Sequence, residues 1–404
     1  MRLAVTANGP GEVAGWLRPL LRALYARAPE TDVHAFLVPD EYATGFEAPT
    51  LRALFPQAHV YDPKTYLKFA VGGRVEGVPS AVDLVLYVGG DLLHAARVHA
   101  RLKGKAASYK FSRPRYRKLF DRVFAVDAKN VEQLEAWGTP PDRIVRVGNL
   151  AIDGAVLEAQ ASLEPGTPHD GILVMPGSRT YEVENLVPFY FTAALRMLRE
   201  RPSLPIAFGI SPFTSDQRLQ AAIERGGDPR VFAQRGRLLR EDDRTYLASA
   251  DGTVRIPVLR NALAAASRAR LVLTIPGTKT IELAVLGKPA LTITPLNAPE
   301  IITVNGPLTY LDRVPAIGVP LKRAVAVGIS KRFTYHTQPN MDLGEMAICE
   351  VHGTVTPGRI ARVALERYDD AAWLATTSAR LGSLYRDHLG ASERMADSLL
   401  ALAA

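Results

Sequence analysis

The chain has 404 residues and a mass of 43.9 kDa, which predicts two domains, with one large barrel as the alternative. Its 47% hydrophobic and 22% charged residues are ordinary for a globular protein and exclude a disordered or collagen-like chain. The single cysteine, Cys349, cannot form an internal disulfide, which favours a location in the reducing cytoplasm. A net charge of +8 favours partners that carry phosphate, namely nucleic acid, anionic lipid or nucleotide substrates, with a compositional bias of this Arg-, Ala- and Leu-rich chain as the alternative.

Neither a signal peptide nor a membrane span is expected. The apolar start breaks at residues 8–11, before the roughly 7–15 apolar residues of a signal-peptide core can form. Apolar runs elsewhere are shorter than the roughly 18–20 residues that cross a bilayer. We therefore expect a cytoplasmic protein that can associate with the inner face of a membrane without crossing it.

The first part of the chain alternates short apolar runs with segments of helical spacing. Strands are predicted at residues 2–6, 33–38, 83–88, 122–126 and 144–147. Helices are predicted at residues 12–28, 92–102 and 130–137. Such alternation is typical of a mostly parallel sheet covered by helices.

The same alternation restarts after a stretch at 162–170 that contains Pro and Gly. Further strands are predicted at 171–175, 206–209, 271–275 and 290–294, and helices at 184–200 and within 277–286. We therefore predict an α/β fold with two facing Rossmann-like domains, residues 1–165 and 166–358. Residues 359–404 are predicted to form C-terminal helices that pack on these domains.

Three loops follow predicted strands and precede helices, at residues 8–15, 175–179 and 276–282. At such positions unpaired N–H groups and the helix dipole favour an anion. In the second loop, Ser178 and Arg179 can hold a phosphate, with an exposed, unengaged arginine as the alternative. The first loop is explained equally well by a tight turn.

The third loop combines several groups suited to a nucleotide. Its N–H groups, with Thr278 and Thr280, can hold a diphosphate, and Glu282 can accept hydrogen bonds from ribose hydroxyls. A carboxylate in the first helical turn is also a routine capping choice. Asp91, after the Gly89-Gly90 turn, can serve as a general base or as a helix N-cap.

Residues 109–122 mix basic and aromatic side chains. The basic ones are Lys110, Arg113, Arg115, Arg117, Lys118 and Arg122, and the aromatic ones are Tyr109, Phe111, Tyr116 and Phe120. This mixture suits an anionic membrane surface or a nucleic-acid backbone, and a solvated basic face is the alternative. The histidines are scattered without metal-ligand spacing, so no metal is predicted.

Several motifs in order resemble those of the lipid-A-disaccharide synthase family. Residues 11–16 (Gly-Glu-Val-Ala-Gly-Trp) resemble its Gly-Glu-x-Ser-Gly-Asp, with Ala14 and Trp16 as departures. Gly89-Gly90-Asp91 resembles Ala-Pro-Asp, and residues 148–153 resemble Gly-His-x-x-x-Asp with Asn149 in place of His. The altered positions lie on the side expected for the acceptor.

The second half is closer to that family. Residues 175–183 resemble Leu-Pro-Gly-Ser-Arg-x-x-Glu-Val, and residues 276–282 resemble Ser-Gly-Thr-x-x-x-Glu. The segment from Gln338-Pro339-Asn340 to Glu350 resembles Leu-Pro-Asn…Gly…Pro-Glu, with Glu345 where the family has Arg. The resemblance spans nearly the whole chain.

The resemblance implies a GT-B, inverting hexosyltransferase that needs no cofactor and transfers a sugar of the N-acetylglucosamine type from a UDP-sugar to a lipid acceptor. It implies Asp91 as the base. The implied donor-binding residues are Gly177, Ser178, Arg179, Gly277, Thr278, Thr280 and Glu282. The implied acceptor-side residues are Gly11, Glu12, Asn149 and Asn340. The membrane-facing residues are then Arg113, Arg115, Arg117 and Lys118, and no nucleic acid is expected.

Two other functions stay open. A UDP-sugar epimerase of the same two-domain build would bind the same donor without a lipid. A non-catalytic protein that binds nucleic acid or a membrane surface would use the positive charge alone. The acceptor lipid, the sugar, the linkage and the oligomeric state are not specified by these patterns.

Overall fold

The computed structural model describes residues 1–39, 45–116, 118–212, 214–297 and 334–404. The chain forms two compact units. The first comprises Met1–Leu157 and Asp387–Ala404, and the second comprises Glu158–Arg386. Each unit is an α/β structure built on one sheet.

The first unit contains a seven-stranded, parallel sheet. Its strands are β1 (Arg2–Ala7), β2 (Asp32–Leu37), β3 (His59–Tyr61), β4 (Leu84–Tyr87), β5 (Lys105–Tyr109), β6 (Arg122–Ala125) and β7 (Ile144–Arg146). Their spatial order is β3-β2-β1-β4-β5-β6-β7. Both faces of β1 are buried, because Leu3 and Val5 enter one apolar core and Ala4 enters another.

Helices connect these strands. They are α1 (Pro10–Glu12), α2 (Arg18–Arg27), α3 (Glu47–Leu54), α4 (Pro63–Ala70), α5 (Leu92–Leu102), α6 (Ala128–Ala136) and α7 (Leu150–Ala159). A π-helical turn, Val13–Leu17, joins α1 to α2. Asp side chains cap three of the helices: Asp62 caps α4, Asp91 caps α5 and Asp127 caps α6.

The second unit contains an eight-stranded sheet. Its strands are β8 (Ile172–Val174), β9 (Ile206–Gly209), β10 (Arg237–Glu241), β11 (Arg244–Ala248), β12 (Arg255–Leu259), β13 (Leu271–Thr274), β14 (Ala290–Pro295) and β15 (Cys349–Gly353). The order is β10-β11-β12-β9-β8-β13-β14-β15. Only the pairings of β11 with its two neighbours are antiparallel among the described strands.

The other helices that the described residues form follow in chain order. They are α8 (Thr180–Glu200), α9 (Asp216–Arg225), α10 (Ala262–Arg268), α11 (Thr278–Val285), α12 (Gln338–Leu343), α13 (Pro357–Asp369), α14 (Ala371–Leu384) and α15 (Ala391–Ala403). The long helix α8 forms much of the second core, where Phe189, Tyr190 and Phe191 are fully buried. Among the described residues, no helix combines the length and apolarity that crossing a bilayer requires.

The unit boundaries differ from the predicted domains. The first unit ends at Leu157 rather than near residue 165, and α15 returns to it while α13 and α14 belong to the second unit. Asp153 provides one physical reason, because its carboxylate accepts hydrogen bonds from the N–H groups of Gly390 (2.9 Å) and Ser392 (2.7 Å) at the start of α15. Asp153 therefore holds the C-terminal helix on the first sheet.

Candidate functional site

Each sheet has one point where the strand order reverses. In the first sheet it lies between β1 and β4, and in the second between β8 and β13. Ligands of open parallel sheets bind beyond the carboxyl ends of the strands at such a point. Residues 8–15 and 89–91 follow the first two strands, and residues 175–179 and 276–282 follow the second two. The structure thus brings the sequence motifs together in pairs, one pair in each unit.

In the first unit, the loop after β1 (residues 8–15) packs against the loop after β4 (residues 89–91). A Cβ added to Gly89 would overlap the Glu12 carboxylate and lie 2.9 Å from Asn8 Oδ1, so this close approach requires glycine. Burial raises the pKa of the Tyr87 hydroxyl, and the negative charges of Glu12 and Asp91 raise it further. Two carboxylates therefore share the carboxyl edge of β1 and β4.

Asp91 is an N-cap in the structure. Its Oδ1 accepts a hydrogen bond from the Leu93 N–H at 2.8 Å, and its side chain is exposed. A carboxylate has a second oxygen, so capping by Oδ1 is compatible with proton transfer at Oδ2. The catalytic role of Asp91 remains a prediction.

The π-helical turn Val13–Leu17 contains both departures from the motif that residues 11–16 resemble, Ala14 and Trp16. Trp16 lies in this turn and meets the ring of Tyr109 edge to face, with 5.5 Å between centroids. The turn approaches α7 closely, since a Cβ on Gly154 would lie 2.9 Å from the Gly15 carbonyl oxygen. π-Helical turns are frequent at functional sites. Trp16 is thus positioned at the same sheet edge as Glu12.

Lys110 follows β5, the strand next to β4. Its Nζ lies 5.8 Å from the ring centroid of Trp16 and 5.6 Å from that of Phe111. Burial lowers the pKa of Lys110, while Asp127 and Glu12 oppose that shift. The sequence pattern placed Lys110 in a surface run, whereas the structure places its ammonium group beside the site.

The other acceptor-side predictions in this unit have different surroundings. Asn149 precedes α7, where its Oδ1 accepts a hydrogen bond from the Ala151 N–H at 3.1 Å and lies 3.5 Å from the Tyr109 hydroxyl. Gly11 is exposed, and no described heavy atom lies within 4 Å of a Cβ built on it. Asn149 therefore has a structural use, while Gly11 borders open space.

The basic segment, residues 109–122, is divided between surface and core. Its exposed basic residues include Arg113, Arg115 and Lys118. Arg117 lies outside the described residues. Tyr109 and Phe120 are buried in the core, so the segment is less aromatic at its surface than the sequence suggests.

In the second unit, the loop after β8 is closed by a carboxylate of the chain itself. Glu182 Oε2 accepts hydrogen bonds from the N–H groups of Ser178 (2.7 Å) and Arg179 (2.9 Å). Gly177 has φ +107°, and a Cβ there would overlap Glu182. Because Glu182 uses two of the donors predicted to hold an anion, a phosphate at this loop would meet the Ser178 and Arg179 side chains instead.

The loop after β13 leaves its helix start open. Gly277 has φ +147° and ψ −166°, a conformation that essentially only glycine adopts, and no side chain of the described residues caps α11. No described heavy atom lies within 4 Å of a Cβ built on Gly277, and Thr278 is exposed. The first N–H groups of a helix lack intrahelical acceptors and carry partial positive charge. This helix start is therefore better suited to an anion than that of α8.

Glu282 lies one turn into α11. The residue is only 7% exposed, and its Oε2 lies 2.7 Å from Lys279 Nζ. Burial acts to lower the pKa of Lys279, but Glu282 and Glu158 outweigh it and the pKa is raised. Thr280 is fully buried and its hydroxyl donates to the Gly277 carbonyl at 2.7 Å. Contrary to the prediction, Thr280 thus fixes the turn instead of facing a ligand.

Asn340 does not fit its predicted acceptor role. Its amide is fully buried in α12, donates to the Ile348 carbonyl and to Glu350 Oε1, and accepts from the N–H groups of Ala347 and Ile348, all within 2.7–2.9 Å. These four bonds use the whole hydrogen-bonding capacity of an asparagine amide. Asn340 and Glu350 therefore form a structural network.

Sequence reasoning gave no role to Glu182 or Lys279. Glu182 stands three residues after the Arg179 N-cap, which is the spacing of a capping box and was a usable signal. Lys279 stands three residues before Glu282, a spacing that brings side chains together on a helix. Trp16 and Lys110 are distant in sequence, and their proximity depends on the order of the strands.

Comparisons with known proteins bear on the fold. The S. aureus MnaA structure with UDP is 14% identical, with a TM-score of 0.60 over 99% of this chain and 97% of that one. A putative UDP-N-acetylglucosamine 2-epimerase from Listeria monocytogenes is 14% identical, with a TM-score of 0.59 over 99% and 96%. The fold is GT-B-like and Rossmann-type. The predicted α/β class is thereby confirmed.

One curated protein gives a partial sequence match. The lipid-A-disaccharide synthase of Ruegeria pomeroyi is 36% identical over 118 residues, which are 29% of this chain and 25% of that enzyme. No family model matches the chain. Because the match spans only a quarter of that enzyme, these comparisons support the broad GT-B group and not the narrower synthase family.

Proposed function

We propose that this protein binds a UDP-sugar in its second unit and transfers the sugar to a lipid acceptor. The observation that carries the proposal is the uncapped start of α11 at the strand-order reversal, with buried Glu282 one turn inside. N–H groups and a helix dipole complement a diphosphate, and a carboxylate complements the two hydroxyls of a ribose. The two halves of a nucleoside diphosphate thus have separate, adjacent partners.

Similar folds support a uridine nucleotide as the ligand. The MnaA structure contains UDP. A UDP-GlcNAc 2-epimerase from Neisseria meningitidis, 12% identical with a TM-score of 0.56 over 99% of this chain and all of that one, is bound to UDP-GlcNAc. An N-acetylglucosamine donor is therefore the first substrate to test.

In the proposed reaction Asp91 acts as the base. Its carboxylate takes the proton of an acceptor hydroxyl as that oxygen attacks the anomeric carbon of the donor. The bond from the anomeric carbon to the diphosphate oxygen breaks, and UDP leaves with inversion at that carbon. The α11 N-terminus and the Arg179 guanidinium offer positive charge to the leaving diphosphate.

Two features support a lipid acceptor at a membrane surface. The partial match is to a lipid-A-disaccharide synthase, and the exposed cations of the basic segment suit anionic headgroups. A peripheral position on the inner face of the membrane follows from the proposal.

The decisive experiment incubates the protein with UDP-N-acetylglucosamine labelled in the sugar, with and without lipid extract. Transfer predicts label in the organic phase and release of UDP only when lipid is present. Release of UDP without labelled lipid would contradict lipid transfer.

Epimerisation of the UDP-sugar is the second candidate, because solved 2-epimerases share the fold across 99% of this chain. It predicts that nucleotide sugar alone is converted to its epimer, with exchange of the hydrogen at the epimerised carbon into heavy water. Nuclear magnetic resonance of the donor without lipid distinguishes the two functions.

A further inference from the structure

Three side chains of types that can bind metal ions meet at the amino ends of β2 and β3, the opposite edge of the first sheet from the candidate site. Asp32 opens β2, and His34 lies two residues later. The parallel register pairs His34 with His59 on β3. Neighbouring positions of two strands thus bring together residues that are far apart in sequence.

The ligand atoms of these residues lie at chelating distances. Asp32 Oδ1 is 3.1 Å from His34 Nε2 and 3.6 Å from His59 Nε2, and all three atoms lie within 4.8 Å of one another. A tetrahedral zinc ion with bonds of about 2.0–2.2 Å separates its ligand atoms by about 3.3–3.6 Å. The two histidine rings are stacked, with 4.7 Å between centroids, so His59, whose side chain is 52% exposed, must turn to bring its nitrogen onto the ion.

The proton positions around His34 follow from its neighbour. The Tyr61 hydroxyl lies 2.7 Å from the Gly77 carbonyl oxygen, which can only accept, so the single hydroxyl proton is used there. His34 Nδ1 lies 3.0 Å from the same hydroxyl and must be the donor to it. A neutral His34 therefore carries its proton on Nδ1 and presents a lone pair at Nε2.

That lone pair is buried and faces an acceptor. His34 is only 2% exposed, and its Nε2 has no hydrogen-bond partner among the described residues. The nearest charged atom is Asp32 Oδ1, which is also an acceptor. The contact is unfavourable unless a positive charge joins the two atoms, either a proton or a metal ion.

The remaining atoms of the two ligands are held in place. Asp32 Oδ2 accepts a hydrogen bond from Arg2 Nε at 2.7 Å, and the Tyr61 hydroxyl oxygen accepts a hydrogen bond from His34 Nδ1. Metal-binding residues commonly have such outer partners, which fix the histidine tautomer and the carboxylate orientation. The Arg2 charge opposes a cation, but it is directed to the oxygen that would not bind the metal.

We propose that Asp32, His34 and His59 bind a divalent transition-metal ion of the zinc class, with water completing a four-coordinate site. Two imidazole nitrogens and one carboxylate oxygen are ligands that zinc accepts. The half-exposed His59 provides a route from solvent. The ion would tie the edge strand β3 to β2. This inference is independent of the proposed function.

The test is calorimetric titration of the full chain, first freed of metal by a chelator, with zinc chloride near neutral pH. We expect one site in the first unit whose affinity falls at least about tenfold in His59→Ala, which removes an exposed ligand. Tyr61→Phe keeps all three ligands but removes the acceptor that fixes the His34 tautomer, and we expect a loss of about tenfold. Zinc should also raise the thermal midpoint of the native chain more than that of His59→Ala.

The control variant is His352→Ala, because His336, Glu350 and His352 form a second group of possible ligands in the other unit. Zinc binding that is lost in His352→Ala and retained in His59→Ala would overturn the proposal. Undetectable binding by the folded native chain, or equal affinities of the native chain and His59→Ala, would overturn it as well.

Discussion

Lys279 Nζ lies 2.7 Å from Glu282 Oε2, one helical turn apart at the start of α11. The pair places a buried carboxylate and a partly exposed ammonium beside a helix start that lacks a capping side chain in the described part of the chain. At α8, by contrast, Glu182 already occupies the loop N–H groups of Ser178 and Arg179. The difference makes α11 the helix whose N-terminus remains suited to a diphosphate.

We expect Glu282→Ala to weaken UDP binding by about tenfold or more, because a hydrogen bond to a charged group contributes about 1.5–3 kcal/mol. Calorimetric titration with UDP and UDP-N-acetylglucosamine measures the loss. Glu366→Ala, on the exposed face of α13, is the matched control and should keep the native affinity. Equal affinities of the two variants would exclude Glu282 from the nucleotide site.

Gly277→Ala should also weaken UDP binding, because alanine at φ +147° carries strain of about 1–3 kcal/mol that the helix start relieves by moving. Gly252→Ala provides the control, since Gly252 also has positive φ (+77°) but lies in the loop between β11 and β12. It should lower the thermal midpoint without changing UDP affinity. A native affinity in Gly277→Ala would show that the loop geometry is not used for the nucleotide.

Asp91→Asn should reduce sugar transfer by about 10²–10⁴-fold, as expected for loss of a general base, and leave UDP affinity unchanged. Asparagine caps helices as well as aspartate does, so the Leu93 N–H keeps its acceptor. Asp62→Asn is the control, because Asp62 caps α4 through the Thr65 N–H at the same 2.8 Å. Full transfer by Asp91→Asn would remove the proposed base.

Stability should fall in acid because of Glu350. Burial acts to raise its pKa, but hydrogen bonds from His336 and Thr337 outweigh burial and hold the pKa at about 2, below the ordinary 4.5. The contribution, about 3 kcal/mol, is therefore complete above pH 4.5 and is lost as the pH falls toward 2. In Glu350→Gln the thermal midpoint should depend less on pH across this range. Glu345 is half exposed, so Glu345→Gln should keep the pH dependence of the native chain.

The basic segment should bind anionic vesicles. We expect the triple replacement of Arg113, Arg115 and Lys118 by Gln to lower the affinity for phosphatidylglycerol vesicles by about 100-fold, since each cation contributes about 1 kcal/mol. Sedimentation with the vesicles measures this affinity. Neutral vesicles should not distinguish the variant from the native chain. The control replaces three exposed cations elsewhere in the same unit: Lys64, Lys68 and Lys103. If both triple variants lose the same affinity for anionic vesicles, the basic segment has no specific role in membrane binding.

Local sequence patterns were enough to predict the α/β class and the loops that carry the candidate sites. This was possible because apolar runs and helical spacing are local signals, as in β4 and α5, where the predicted bounds nearly match the structure. Strands with little apolar character escaped that criterion. β10 (Arg237–Glu241) has charged residues at three of its five positions, and its place depends on pairing with β11.

Which residues come into contact depends on the assembled sheets and could not be predicted from local patterns. The fixed spatial order of the strands sets Glu12 against Gly89 and pairs His34 with His59, and these contacts leave no periodic trace in the sequence. Burial also could not be predicted from the motifs. Asn340 makes all its hydrogen bonds inside the core, and the Thr280 hydroxyl donates to its own loop. Linear patterns report local conformation, whereas function here depends on contacts between distant segments that form only when the sheets assemble.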